Sequence, residues 1–246
     1  MNHPDSKVAL VTGSSRGIGA AIARRLASDG FAVVVNYAGK AEPADALVQE
    51  IREGGGRAIA LAADVSRPED VKRLFDATEQ ELGGVDVLVN NAGVMSLAPI
   101  AEMDDATFDR LVSINLKGTF NTLREAGRRL RRGGRVINLS SSVIGLQLPT
   151  YAPYAATKAA VEALGAVFAK EMRGRQISVN AVAPGPTATQ LFLDGKSDEL
   201  VARMSQQAPL ERLGQPDDIA GVVSFLASPE GQWVNGQTLR VNGGVI

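Results

Sequence analysis

Tyr154 and Lys158 stand four residues apart in Tyr-Ala-Ala-Thr-Lys. On a helix that spacing puts a phenol and an ammonium on one face, one turn apart. A phenol titrates near about 10, and a neighbouring ammonium favours its ionised form. Such a pair can move a proton to or from a carbonyl or alcohol oxygen near neutral pH. The same spacing also suits a half-buried tyrosine covered by a lysine stem, so the rest of the chain has to decide. Gly13, Gly17 and Gly19 form a second candidate, Gly-x-x-x-Gly-x-Gly between an apolar run and an alanine-rich segment. A strand–turn–helix of this kind brings backbone N–H groups to a pyrophosphate at a helix N-terminus. The spacing differs from the usual Gly-x-Gly-x-x-Gly, and glycines can also serve a tight turn for its backbone angles alone.

The bulk properties narrow the chemistry. The 246 residues are 45% hydrophobic and 22% charged, which suits one large domain. A net charge of −1 gives no broad attraction to nucleic acid or anionic membrane. The absence of cysteine excludes disulfides, thiolate catalysis and zinc–thiolate sites. The one histidine, His3, lies in a polar start (residues 1–6) expected to be flexible. A histidine base, a His-rich metal site and a serine hydrolase are therefore not expected, and Ser140 to Ser142 sit in no Gly-x-Ser-x-Gly elbow. No metal is predicted. No apolar run approaches ~20 residues and no basic-then-apolar leader is present, so a cytoplasmic protein is expected.

The elements that must position these residues follow from hydrophobic patterning. Short, continuous apolar runs at 7–12, 32–36, 57–62, 85–90, 135–139, 176–182 and 237–241 read as strands buried on both faces. Between them, helices are expected after Gly19, ending near Gly30, and over 43–53, 68–82, 104–132, 151–172 and 216–227. Asp104 suits an N-cap and Pro68 a first turn. Alternating strands and helices predict an α/β fold, a doubly wound parallel sheet of about seven strands with helices on both faces, in one domain over 7–246. Ligands in such sheets bind beyond the carboxyl ends of the strands. The polar and glycine-rich clusters do follow strands: 12–19, Asp64-Val65, Asn90 to Gly93, Ser140 to Ser142 and Pro184-Gly185.

Taken together and in order, Thr12-Gly-Ser-Ser-Arg-Gly-Ile-Gly19, Asn90-Asn-Ala-Gly93, Asn115, Ser141, Tyr154-x-x-x-Lys158 and Pro184-Gly185 resemble the short-chain dehydrogenase/reductase family over nearly the whole chain. Within it, the chain is most similar to 3-oxoacyl-carrier-protein-reductase-like and glucose-dehydrogenase-like members. The resemblance implies that Tyr154 exchanges the proton with the substrate oxygen. It implies that Lys158 holds the nicotinamide ribose and lowers the Tyr154 pKa, that Ser141 orients the substrate oxygen, and that Asn115 holds a relay water. Ser141 lies thirteen positions before Tyr154, with Ser142 as the alternative. For the cofactor it implies Gly13, Ser15, Arg16, Gly17, Ile18 and Gly19 at the pyrophosphate turn, and Asn36, Tyr37 and Lys40 at the end of the second strand. Asp64 and Val65 would meet the adenine. Asn90, Ala92 and Gly93 would line the channel, Asn90 supplying the polar contact. Tyr154, Lys158, Pro184, Gly185 and Thr187 or Thr189 would surround the nicotinamide.

An NAD site places an acid on the ribose hydroxyls about 20 residues beyond the glycine turn. Here that position reads Asn36-Tyr-Ala-Gly-Lys40, with no acid before Glu42, and Arg16 and Lys40 add positive charge. NADP(H) is therefore predicted over NAD(H). Residues 188–210 correspond to the family's substrate lid, and Met95, Val143, Gln147, Leu148 and Pro149 to the pocket, which predicts a partly apolar small-molecule substrate. The C-terminal end, Trp233 to Gly244, resembles the family's tetramer-forming segment. The expected activity is reduction of a ketone or aldehyde, with a 3-oxoacyl thioester among the options. The alternatives are dehydrogenation of a sugar, polyol or secondary alcohol and, in another class, non-catalytic cofactor sensing. The basic run Arg128, Arg129, Arg131 and Arg132 also suits a helix C-terminus and carries no functional weight.

Overall fold

The computed structural model describes residues 6–246, so the expectation for residues 1–5, His3 included, lies outside the described residues. Seven strands form one parallel sheet: β1 (Val8–Val11), β2 (Ala32–Tyr37), β3 (Arg57–Ala62), β4 (Val87–Asn90), β5 (Arg135–Leu139), β6 (Ser178–Pro184) and β7 (Thr238–Val241). Their order is β3-β2-β1-β4-β5-β6-β7, with every neighbouring pair parallel. The helices are α1 (Gly17–Ser28), α2 (Glu42–Glu53), α3 (Pro68–Leu82), α4 (Asp105–Leu111), α5 (Gly118–Arg129), α6 (Val143–Leu146), α7 (Ala152–Glu171), α8 (Gln190–Leu193), α9 (Asp198–Ser205) and α10 (Pro216–Ala227).

Why the strands are apolar throughout is visible in their packing. Alternate side chains of each central strand enter opposite cores. Ala9 and Val11 join α1, α2 and α10 on one face. Val8 and Leu10 join α3, α5 and α7 on the other, around Phe75, Leu123 and Phe168. All four β1 residues are fully buried. The sheet order reverses direction at β1, whose neighbours are β2 and β4. Loops leaving β1 and β4 therefore meet at one crevice, where ligands of such sheets bind.

Several element ends depart from the pattern-based expectation. β4 begins at Val87 rather than residue 85; just before it, Asp86 still bonds Val8 O and the Arg135 amide through its backbone, and its carboxylate accepts the Val8 amide at 2.8 Å. β6 runs from Ser178 to Pro184; Gln176, at φ 57°, is in the left-handed region and lies outside it. The helix expected over 104–132 is three pieces. Asp104 caps α4 as expected, accepting the Thr107 amide at 2.8 Å. A π-helical segment, Val112–Lys117, then joins α4 to α5. α5 stops at Arg129, because Leu130 turns to extended backbone and the Arg131 amide donates to Val85 O. The short helices α6, α8 and α9 were not expected.

No helix of the described residues is long and apolar enough to cross a membrane.

Candidate active site

The glycine turn after β1 is held by side chains that replace missing backbone partners. Asn91 Nδ2 donates to Thr12 O and to Gly13 O, both at 2.9 Å. Thr12 Oγ1 accepts the amides of Asn91 and Ala92 at 3.0 Å each. From the other side Asn36 Oδ1 accepts the Gly13 amide at 3.1 Å, and its Nδ2 donates to Leu61 O and Ala63 O. The turn needs glycine for two reasons. Gly13 and Gly17 have φ of 59° and 58°, and a Cβ on Gly19 would stand 2.4 Å from Asn91 Nδ2. The helix that follows carries no side-chain cap and no acid in its first turn, whereas α2, α3 and α10 each have two acids there. Free N–H groups and an acid-free helix start fit a phosphate. Ser15 and Ile18 are half-buried in this turn, and Arg16 is exposed at its edge.

At the end of β2, Tyr37 packs against the core while Ala38, Gly39 and Lys40 are exposed. Asn36 is buried and spends its amide on the turn and β3, so it shapes the cofactor edge from behind. Asp64 Oδ1 accepts from the Ser66 amide and hydroxyl, closing its own turn, while Val65 is buried with its carbonyl bonded to Asn121 Nδ2.

Asn90 departs from the role expected for its side chain. Its Nδ2 donates to Asn138 Oδ1 at 2.9 Å and its Oδ1 accepts from Thr122 Oγ1 at 2.6 Å, both inside the core. The neighbouring Asn91 is the one that reaches the glycine turn. The π-helical segment brings Asn115 beside this loop: its side chain pairs with Val94 N and O at 2.8 and 2.9 Å and donates to Thr157 Oγ1 at 3.2 Å. A Cβ on Gly93 would lie 3.3 Å from Asn115 Oδ1 and 3.6 Å from Lys158 Nζ, so Gly93 leaves the approach to Lys158 open. Ala92 stacks on Gly13, whose own Cβ would meet its Cα at 2.8 Å.

Three consecutive serines end β5 in three environments. Ser140 Oγ donates to Glu162 Oε1 at 2.5 Å. Ser142 is buried, donating to Ala183 O at 2.9 Å and accepting from Asn242 Nδ2 at 3.0 Å. Ser141 is half-buried and close enough to Tyr154 to favour the ionised form of its phenol. Of the two serines considered, Ser142 spends its hydroxyl inside the core, which leaves Ser141 as the one beside Tyr154.

Tyr154 and Lys158 lie on α7 as their spacing requires. Burial pushes the Tyr154 phenol up to about 12, and neighbouring Ser141 works against that rise. Burial lowers the Lys158 ammonium to about 8. Its Nζ donates to Leu139 O at 2.8 Å and lies 5.9 Å from the centre of the Tyr154 ring. Desolvation is the largest influence on the phenol, and Lys158 is not among the groups that lower it here.

Beyond β6, Gly185 packs on Asn242, and Thr187 is buried with its hydroxyl donating to Gly185 O at 2.9 Å. Thr189 caps α8, and its methyl faces Gly17 across the glycine turn, 3.6 Å from where a Cβ would sit. It therefore stands closer to the phosphate end than Thr187 does. The segment 188–210 forms α8 and α9, leaving from and returning to a clasp in which Ala188 N donates to Gly214 O and Gly214 N to Pro186 O. Of the expected pocket residues, Val143 is buried, Met95 and Leu148 are half-buried, and Gln147 and Pro149 are exposed. Thr157 and Glu162 were not singled out from the sequence, and Thr12 and Asn91 stood in motifs without the bonding roles they have here; nothing in residue type marks their partners.

The family model described as enoyl-(acyl carrier protein) reductase matches residues 13–246. A short-chain type dehydrogenase/reductase of Picea abies is 44% identical, over 98% of this chain and 92% of its own length. An NADPH-dependent aldehyde reductase-like protein, chloroplastic, of Arabidopsis thaliana is also 44% identical, over 98% and 94%. Among solved structures, a short-chain dehydrogenase from Burkholderia cenocepacia in complex with NADP matches with a TM-score of 0.92 at 36% identity, covering 99% of both chains.

Gly13→Ala should destabilise the protein by about 1–3 kcal/mol, because the residue combines a left-handed φ with a Cβ overlap on backbone. Gly39→Ala, with open space around its Cβ, is the control and should change stability by less than about 0.5 kcal/mol. Denaturant unfolding of both variants checks this; equal midpoints would refute the strain.

Proposed function

The chain belongs to the short-chain dehydrogenase/reductase family, oxidoreductases of carbonyl and alcohol groups, and on that premise we propose that it is an NADPH-dependent reductase of a ketone or aldehyde. The observation that carries the reading is the convergence of Tyr154, Ser141 and Lys158 on the rim that also holds the glycine turn. Bound NADPH would supply a hydride to the carbonyl carbon. Tyr154 Oη gives its proton to the carbonyl oxygen. Ser141 orients that oxygen by hydrogen bonding. Lys158 has spent one of its three N–H donors on Leu139 O, leaving two for the nicotinamide ribose. Both N–H donors of the Asn115 side chain are engaged. A relay water would meet its main-chain carbonyl, which already accepts Thr119 Oγ1 at 2.9 Å and keeps a second lone pair.

The neutral phenol is the form that donates a proton in reduction. Arg16 and Lys40, both exposed and without a carboxylate partner among the described residues, support NADP(H) over NAD(H), as do the NADPH named for the Arabidopsis relative and the NADP bound in the Burkholderia structure. The basic run at the end of α5 lies at the opposite end of the sheet from the site. Arg129 pairs with Asp76, Glu79 and Glu125, and Arg131 with Asp86. That placement favours a free, partly apolar carbonyl compound over one carried on an acidic protein. Leu191 and Leu193, exposed on α8, suit such a substrate. Trp233, 96% exposed, supports assembly as a homotetramer through the C-terminal end.

NADPH consumption against a panel of ketones, aldehydes and a 3-oxoacyl thioester tests the activity. Tyr154→Phe should lower kcat by about 10²–10⁴-fold with NADPH affinity retained; undiminished turnover would remove the acid role, and a panel that gives no turnover would remove the reductase reading. NADPH should bind about tenfold more tightly than NADH, and Arg16→Ala should narrow the gap; tighter NADH binding would reverse the cofactor assignment. Reductive kcat/KM should be level below about pH 8 and fall above it, as the Lys158 ammonium is lost. A profile level to pH 10 would exclude Lys158 as the controlling group.

A further inference from the structure

The face of α7 that carries Tyr154 and Lys158 continues to Glu162, another four residues on. Each of the three meets one of three consecutive residues at the end of β5. Tyr154 neighbours Ser141, Lys158 Nζ donates to Leu139 O at 2.8 Å, and Glu162 Oε1 accepts from Ser140 Oγ at 2.5 Å. The first two contacts belong to the chemistry already described; the third does not. Ser140 is buried, and its amide donates to Val182 O at 2.8 Å, so it is pinned to β6 by its backbone and to α7 by its side chain. Ser141 has no comparable anchor: its hydroxyl accepts the Val143 amide at a long 3.3 Å. Glu162 makes no salt bridge among the described residues. A half-buried carboxylate without a cation is costly, and here a single serine receives it.

We infer that Glu162 is a positioning residue: by clamping Ser140 to α7 it fixes the Ser141 hydroxyl against the Tyr154 phenol. This inference rests on the acid role proposed for Tyr154. The clamp acts through its neighbour's backbone, joining the strand end and the helix that carry the two halves of the proton-donating pair. Small displacements of such a pair are expensive, about 10²-fold in rate for 1 Å.

Glu162→Leu removes the acceptor, Ser140→Ala removes the donor, and Glu162→Gln keeps an acceptor oxygen. Glu162→Leu and Ser140→Ala should each lower kcat about tenfold, with carbonyl KM and NADPH affinity changed by less than about twofold. Glu162→Gln should recover most of the loss. The double variant should be no slower than either single one, since both break the same bond. Hydrogen exchange, followed by mass spectrometry, should quicken in Glu162→Leu over residues 139–146 and not in the glycine turn. Wild-type kcat with unchanged exchange would overturn the inference. So would additive losses in the double variant, or a kcat loss matched by loss of NADPH binding and of thermal stability. If the wild-type protein turns over no carbonyl in the panel, the reductase reading fails, and the exchange of residues 139–146 still decides the clamp.

Discussion

Parallel pairing of β1 with β4 is the constraint from which the site follows. Where the sheet order reverses, two loops leave adjacent strand ends in diverging directions, and their backbone groups quit the ladder while still buried. Buried N–H and C=O groups need partners. Here side-chain amides and one hydroxyl supply them: Thr12 bridges to the Asn91 and Ala92 amides, Asn91 returns to Thr12 O and Gly13 O, and Asn36 takes the Gly13 amide. The turn is thereby fixed through its carbonyls and its first amide. The N–H groups at the start of α1 remain free for an anion, which is the property that a pyrophosphate cradle requires.

The second constraint is burial without compensation. Lys158 is taken out of water against a neutral carbonyl, with no carboxylate to offset it, and its ammonium is correspondingly less stable. Placing Asp or Glu beside it would restore stability and would also compete for the N–H donors that the proposed ribose contact needs. The same reasoning applies to Gly93, where a side chain would press on both Asn115 and Lys158. Stability and access are opposed at this position, as they commonly are at functional sites.

How much of this was legible in the sequence depends on what each residue type reveals. Strands buried on both faces appear as unbroken apolar runs, so their number and approximate place could be read directly. Their ends could not, because at Asp86 a side-chain carboxylate takes the Val8 amide and Gln176 adopts a left-handed φ, neither of which residue identity announces. The π-helical turn at Val112–Lys117 has no compositional mark, although it is what turns Asn115 toward Val94. Adjacent identical residues were the hardest. Asn90 and Asn91 differ only in that one ends a strand facing Asn138 and the other begins a loop, and Ser140 to Ser142 differ only in which neighbour each meets. Motif order locates such residues, but strand register and helix approach assign them.

The position of Tyr154 bears on direction in a way that spacing alone does not. A lysine one turn away suggests a depressed phenol, ready to accept a proton. The structure instead separates Nζ from the ring centre by 5.9 Å, turns it to Leu139 O, and buries the phenol so that it rises to about 12. An acid does not need a low pKa to protonate a developing alkoxide, because an aliphatic alcohol is a weaker acid still than a phenol. Under the proposed reductase reading, proton transfer from Tyr154 to the carbonyl oxygen would be downhill after hydride delivery. The reverse transfer has to begin from a phenolate that burial disfavours. Ser141 is the one neighbour that eases that ionisation, so its placement beside Tyr154 tunes how readily the phenol gives up its proton.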